Sequence, residues 1–455
     1  GWSGVWAWDP VENASLLPWL TGTAYIHSVL VQQRRGMLRV WNLSLLIATF
    51  ALTILGTFLT RSGIVGSVHA FGAGDVDGYL LGFFVVIVVV SLGLIAWRGD
   101  RLRSPGVIDS PVSREGAFLA NNVIFTVFAF VVLLGTVFPL LVETFEDRQT
   151  VVGAPYFDGL AMPIGLVLLF LMAVAPVLPW RKASAETLSR RLLWPAWFAG
   201  AVVVVSVVVG VRGLVPLVTF GLGAFAGGAA VRQIALATRR HGWRGFVGRT
   251  NGGMIVHLGV VLAAVGLAAS GSFAEQAEVR LSPGESRVVH GHEVRFVEFT
   301  ESDADPTRFI RAAVMEVDGR RMEPRLQRFP NASQELGKPA VRYGIGDTVY
   351  LALIEGPSSA DDQQVLLRII VQPLVGWLWA GGALMVVGTV LSAFPGKRRR
   401  GTEPTSASPP GLDDLRPGDD DPDGGDGPDG PDPGGRGAGG GASDDDPDLE
   451  PVGAP

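Results

Sequence analysis

The sequence predicts a mainly α, polytopic helical membrane protein of about nine transmembrane helices with an extracytoplasmic β-rich domain. Three features predict it. Apolar runs recur near the length that crosses a hydrocarbon core, about 20 residues. Basic residues collect in alternate loops. One stretch of about 100 residues abandons the apolar pattern and alternates with the two-residue period of strands.

The runs lie at residues 15–33, 41–60, 79–97, 118–142, 160–180, 193–211, 214–233, 253–271 and 374–394. Tyr79 to Trp97 contains no charged residue, a length of about five helical turns that core helices of soluble proteins rarely match. Short loops rich in Lys and Arg are retained on the cytoplasmic side. Threading nine spans puts Arg34, Arg35 and Arg39 on one side together with Arg98, Arg101, Arg103 and Arg114. Arg181, Lys182, Arg190 and Arg191, the run from Arg232 to Arg249, and Lys397 to Arg400 join them. The other side, the outside, receives residues 1–14, the loop from Arg61 to Asp77, the acidic segment Glu143 to Asp158, a turn near Arg212 and residues 272–372. The expected domains are a membrane core over 1–271 with eight spans, a β-rich domain over 272–372, a last span over 373–396 and a tail over 397–455.

The formal charge of -6 misleads as a guide to partners, because residues 401–455 alone hold 15 acidic and two basic side chains. The remainder is net positive, as basic cytoplasmic loops require, and no nucleic-acid partner is expected. The acidic tail repeats Asp, Pro and Gly, cannot bury a core, and is expected to be disordered in the cytoplasm. The chain has no cysteine, which excludes thiol exchange by its own residues and Cys-ligated metal sites. Gly1 opens directly into a tryptophan-rich motif, so the chain reads as a fragment or one product of a split gene.

Within 272–372, Glu278-Val279-Arg280-Leu281 and Glu293-Val294-Arg295-Phe296-Val297 alternate as strands between the turn formers Ser282-Pro283-Gly284 and His290-Gly291-His292. A β-barrel or sandwich is expected. His290 and His292 alternate on one face, but two histidines without a third ligand make an incomplete metal site, so a turn or exposed strand end is expected.

The most informative residues are histidines inside spans, where coordinating side chains are costly and functional by default. His27 lies about 9 Å inside the first span from its cytoplasmic end, and His257 about 7 Å inside the eighth, at 1.5 Å per residue. Two imidazoles at matched depth suit the axial positions of one haem iron. Gly252, Gly253 and Gly259 around His257 are expected to leave room for a flat ligand. The competing reading is a hydrogen bond from each ring to a neighbouring helix. His69 stands in an outer, glycine-bearing loop. Trp2, Trp6 and Trp8, before Asp9 and Pro10, sit on the outer side of the first span. They serve either as interfacial anchors or as an aromatic shelf for a planar ring, with Asp9 and Glu12 beside it.

This N-terminal stretch resembles the WWD signature of the haem-handling cytochrome c biogenesis family. Its continuation through Asp9-Pro10-Val11-Glu12-Asn13 and Pro18-Trp19 is similar to the CcmF haem lyase branch rather than to its CcsA relatives. Further segments resemble that branch in the same order, over about residues 1–396. They are Leu59 to Gly63 with His69, Ser113-Arg114-Glu115, Asn121-Asn122, Gly135 to Pro139, Pro155-Tyr156-Phe157, Gly252-Gly253-Met254 with His257, and Trp377 to Gly382. Ser3, Val5 and Ala7 depart from the family's shelf pattern.

The resemblance implies a multi-pass protein of the bacterial cytoplasmic (inner) membrane that attaches haem to apocytochrome c through thioether bonds. It implies that His27 and His257 ligate a resident haem b. It implies that Trp2, Trp6, Trp8 and Asp9 form the catalytic shelf for the substrate haem, whose iron His69 ligates. A first outer histidine would precede the shelf, beyond this chain's start. Implied partners are a haem chaperone, apocytochrome c with its thiol-handling chaperone, and a second chain supplying a missing N-terminal part. The alternatives are a haem transporter and a non-catalytic scaffold of the assembly complex.

Overall fold

The computed structural model describes residues 6–65, 67, 76–102, 108–303, 305, 307–329, 335–357 and 363–394. Trp2, His69 and the acidic tail lie outside the described residues.

The helices are α1 (Pro10–Arg35), α2 (Arg39–Arg61), α3 (Asp77–Arg98), α4 (Arg114–Glu146), α5 (Ala154–Val174), α6 (Ala185–Val208), α7 (Leu214–His241), α8 (Arg249–Phe273) and α9 (Gly376–Ala393). Their starts follow capping chemistry. Asp9 accepts from the Val11 amide ahead of Pro10, and Ser113 and Ser184 cap α4 and α6. Gly36, at φ 68°, ends α1 in the left-handed conformation. Eight of these helices, α2 to α9, are long and apolar enough to cross a membrane. The protein is a multi-pass membrane protein. The expected ninth span, α1, has 26 residues but falls short in composition because it carries Asn13, Thr21, His27, Ser28 and Gln32. Leu17, Leu20, Ala24, Ser28 and Val31 bury one face of it, against α2 and α4.

α8 and α9 cross on a glycine seam. A Cβ at Gly259 would lie 2.5 Å from the Gly381 carbonyl oxygen, and one at Gly388 would lie 2.6 Å from the Val256 amide nitrogen. Gly252 faces Gly388 and Ser392 in the same seam, and Gly266 faces Trp377. Small residues at sevenfold spacing let two backbones touch where lipid supplies no hydrophobic drive. This corrects the expectation that Gly252 and Gly259 leave room beside His257: both are filled by α9, and Gly253 alone faces open space.

Between α8 and α9 stand two antiparallel sheets. The first has the order β1 (Glu275–Leu281), β10 (Val365–Pro373), β9 (Asp347–Glu355), β8 (Ala340–Tyr343). The second runs β2 (Ser286–Val289), β3 (His292–Ser302), β4 (Phe309–Val317), β6 (Arg325–Arg328), β7 (Leu336–Lys338), with β5 (Arg320–Met322) on β4. Leu281, Phe296, Met315, Leu351, Leu367 and Ile369 from both sheets share one core, while Glu293, Arg295 and Val297 face outward. β1 pairs with β10 from Glu275↔Val371 onward, so the glycine seam continues directly into a strand ladder.

His290 occupies a turn at φ 48° beside Glu275. His292 is not an exposed strand end: it is 8% exposed, with Nδ1 2.7 Å from Asp318 and Nε2 3.1 Å from Asp347. Arg342 also pairs with Asp318, at 3.0 Å. Desolvation pushes the Asp318 carboxyl up, but hydrogen bonds from His292 and the Glu293 amide, with the charges of His292 and Arg342, outweigh it and hold it below the usual carboxylate range. A depressed carboxyl contributes stability that is present above its unfolded pKa, about 4, and is lost as pH falls through the lower folded value. Asp318→Asn is therefore expected to destabilise the protein at pH 7 and to flatten the acid limb of thermal midpoint against pH. An unchanged acid limb would contradict the role of Asp318.

Candidate functional site

His27 on α1 and His257 on α8 meet inside the helical core. Their ring centroids are 6.2 Å apart and their planes 15° from parallel. Rings in face contact would sit at about 3.5–4 Å. Metal–imidazole bonds of about 2 Å on either side of one ion would instead separate two ring centres by roughly 6 Å. The Nδ1–H of His27 donates to the Thr23 carbonyl at 2.8 Å, the bond that leaves Nε2 with its lone pair for a metal. Nδ1 of His257 is buried without a hydrogen-bond partner among the described residues. Phe118 and Phe125 flank His27 at 6.0 and 6.3 Å. The donor set, spacing and unpartnered nitrogen fit a haem iron that His27 and His257 would hold.

The C-terminal end of α1 is locked two turns from His27. Arg35, 2% exposed, pairs with Asp109 at 2.8 Å and approaches Glu115 at 3.8 Å. Glu115, fully buried, accepts the Arg181 amide at 2.9 and 3.0 Å. Arg114 reaches the Pro176 and Leu178 carbonyls, each at 2.8 Å. Trp180 lies between the guanidiniums of Arg34 and Arg114 at 5.9 and 5.5 Å, and against Phe118 at 6.2 Å.

The N-terminal end of α1 carries the described part of the tryptophan motif. Trp8 adopts φ 55°, a conformation that a bulky residue takes only when its surroundings impose it. Its indole N–H donates to Asp158 at 2.7 Å, and its ring stacks on Phe157 at 4.9 Å and 11°. Asn13 donates to the Trp8 carbonyl and to Thr136 at 3.2 and 3.1 Å. Trp6 stands perpendicular to Trp8, at 5.7 Å and 90°. One face of Trp8 is thus covered by Phe157, and Trp6 makes a wall beside it. Gly135 permits this arrangement, since a Cβ there would lie 2.6 Å from Tyr156 and 2.7 Å from Phe157. Asp9 is engaged as the helix cap and as acceptor for the Ser67 hydroxyl at 2.6 Å; Glu12 accepts the Ala7 amide at 2.9 Å. Both carboxylates shape the backbone of the shelf.

From Pro10, at its start, to His27 the helix rises by about 26 Å, so the tryptophan motif lies at the N-terminal end of α1 and the histidine pair two turns from its C-terminal end. Thr23 and Trp180 were not singled out in the sequence, Phe157 and Glu115 stood there only within motif segments, and Asp158 only closed an acidic one. The signal for Thr23 was its position one turn before His27; Asp158 lay in an acidic loop that charge alone could not place. Asp158→Asn, which keeps an oxygen acceptor, is expected to leave the Trp8 fluorescence environment nearly native. Asp158→Leu should broaden it. Emission from Asp158→Leu identical to wild type would show that the indole needs no such tether.

Residues 1–66 match the family model described as cytochrome C assembly protein. The chain is 34% identical over 418 residues to the cytochrome c-type biogenesis protein CycK of Bradyrhizobium diazoefficiens, covering 88% of this chain and 62% of that protein. It is 33% identical over 427 residues to CcmF of Escherichia coli (strain K12), covering 90% of this chain and 63% of the relative. The solved structure of "Cytochrome c Heme Lyase CcmF" superposes with a TM-score of 0.71 at 32% identity, covering 87% of this chain and 61% of that one. The chain thus spans less than two thirds of the length of these relatives. The family model, the identities over most of the chain and the superposition agree, and the chain belongs to the cytochrome c assembly family, in its CcmF branch.

Proposed function

We propose that this chain is the haem-handling and lyase portion of a cytochrome c maturation machine of the bacterial cytoplasmic membrane. The observation that carries the proposal is the parallel pair of His27 and His257 at 6.2 Å within the helical core. These residues would hold a b-type haem, which when bound supplies one-electron reduction. Thr23 orients the His27 ring, and the Arg35–Asp109–Glu115 network holds α1 at the height that keeps the two rings level.

At the outer end, Trp6 and Trp8 would bind the substrate haem, with His69 as the ligand to its iron. The face of Trp8 turned away from Phe157 would stack on the planar substrate while Trp6 would limit its sliding. Catalysis is then chiefly positional: holding the vinyl edge beside two cysteine thiols makes a bimolecular addition intramolecular. Each thiol adds across one vinyl group: its S–H bond and the vinyl π bond break, an S–C and a C–H bond form, and no leaving group departs. A haem chaperone would deliver the substrate, apocytochrome c with its thiol-handling chaperone would receive it, and a second chain would complete the assembly.

The test is reconstitution of the assembled membrane complex with the loaded haem chaperone and apocytochrome c. A covalent haem–cytochrome product is expected with wild type and not with His69→Ala. Haem passage into vesicles without any covalent product would overturn lyase action in favour of transport.

A further inference from the structure

The β8–β9 hairpin, outside the site described above, carries its own message. Its tip, Gly344-Ile345-Gly346, has no charge, and Ile345 is 90% exposed. Beside it, Tyr343 is 60% and Trp379 71% exposed. Together with Trp377 they line an open groove of about 630 Å³. Aromatic residues around an apolar tip match the chemistry of a bilayer's interfacial zone.

The position of the tip relative to the bilayer follows from length. α9 has 18 residues, about 27 Å at 1.5 Å per residue, against a hydrocarbon core of about 30 Å. The helix has no slack, so its first turn must lie at or within the outer hydrocarbon boundary. The hairpin is welded to that turn. The Leu374 amide donates to the Gly346 carbonyl at 2.8 Å, and a Cβ on Gly376 would lie 2.8 Å from the Gly344 carbonyl oxygen. The tip therefore travels with α9 to the same depth. Trp379 also heads a stripe with Val386 and Val390, 64% and 55% exposed, spaced to share one helix face, so the groove opens onto a lipid-facing surface.

The charges that flank the tip are already satisfied. Arg342 pairs with Asp318 at 3.0 Å, and Asp347 meets His292 at 3.1 Å. The cluster around His292 thereby lowers the desolvation cost of bringing the hairpin's shoulders to a membrane surface.

We propose that the hairpin tip inserts into the outer leaflet, with phospholipid filling the groove, and so pins the β domain to the membrane. The absence of native cysteine makes the test direct. A nitroxide is attached to Ile345→Cys, and as reference to Val288→Cys on β2, which is 71% exposed. The full chain is placed in phosphatidylcholine–phosphatidylglycerol vesicles, and collisions with oxygen and with a water-soluble nickel chelate are compared by electron paramagnetic resonance. At 345, oxygen collisions are expected to exceed chelate collisions several-fold, with the reverse at 288. Chelate access at 345 equal to that at 288 would overturn insertion. A label at 345 immobilised and shielded from both quenchers would also overturn it, assigning the tip to a protein partner.

Discussion

Replacing Gly259 by leucine is expected to force α8 and α9 apart and to cost more stability than any surface substitution in the protein. Its Cβ would lie 2.5 Å from a backbone carbonyl on the facing helix, and a Cβ at Gly381 would meet the Gly259 carbonyl at the same 2.5 Å. Neither partner is a flexible side chain, so the strain cannot be relieved by a rotamer change. Overpacking against side chains typically costs about 1–3 kcal/mol, and backbone against backbone belongs at or above the upper end. The effect should spread in two directions: through β1 and β10, which continue the seam, and to His257, half a turn away. Gly253→Ala, where nothing lies within 4 Å, is the control and should stay within about 0.5 kcal/mol of wild type. Thermal unfolding in detergent reads both; a Gly259→Leu midpoint equal to that of Gly253→Ala would refute the close crossing.

Glu115→Ala is expected to have an effect of similar size at the opposite end of the histidine pair. The carboxylate is fully buried, accepts the Arg181 amide through both oxygens, and faces a guanidinium that is itself buried. Removing one partner of a buried charge pair costs about 3–5 kcal/mol, because the other charge remains without its compensation. Glu115→Gln keeps an acceptor for the Arg181 amide and should lose less. The measurement is again thermal unfolding, joined to protease cleavage of the loops at that end. Equal midpoints for Glu115→Ala and wild type would show that Asp109 alone neutralises Arg35.

Much of the architecture was readable before any coordinates because membrane folding restricts the choices. A charge-free run such as Tyr79 to Trp97 has no stable alternative to a helix in lipid, and loop charge orients the rest. The level placement of His27 and His257 followed from counting residues along two antiparallel spans. Other features were hidden because they depend on distant partners. His292 looked like a strand end, since nothing local revealed that Asp318 and Asp347 approach both ring nitrogens. Gly252 and Gly259 looked like space for a ligand because a small residue marks equally well a void and a close approach. The sevenfold interval through Gly266, with Gly381 and Gly388 answering it on α9, was the signal that distinguishes the two. The tryptophan motif was legible, but the backing of Trp8 by Phe157 and Asp158 required the N-terminal end of α5 to be placed.

The haem-handling function proposed for this chain turns on whether His27 and His257 bind one iron between them. Purified protein, spectroscopically assayed for a low-spin haem with two axial imidazoles, tests it most directly. Wild type is expected to show that signature, and His27→Ala and His257→Ala should each lose it while retaining the insertion and helix content of wild type. A two-imidazole signature that survives in either variant would contradict the account.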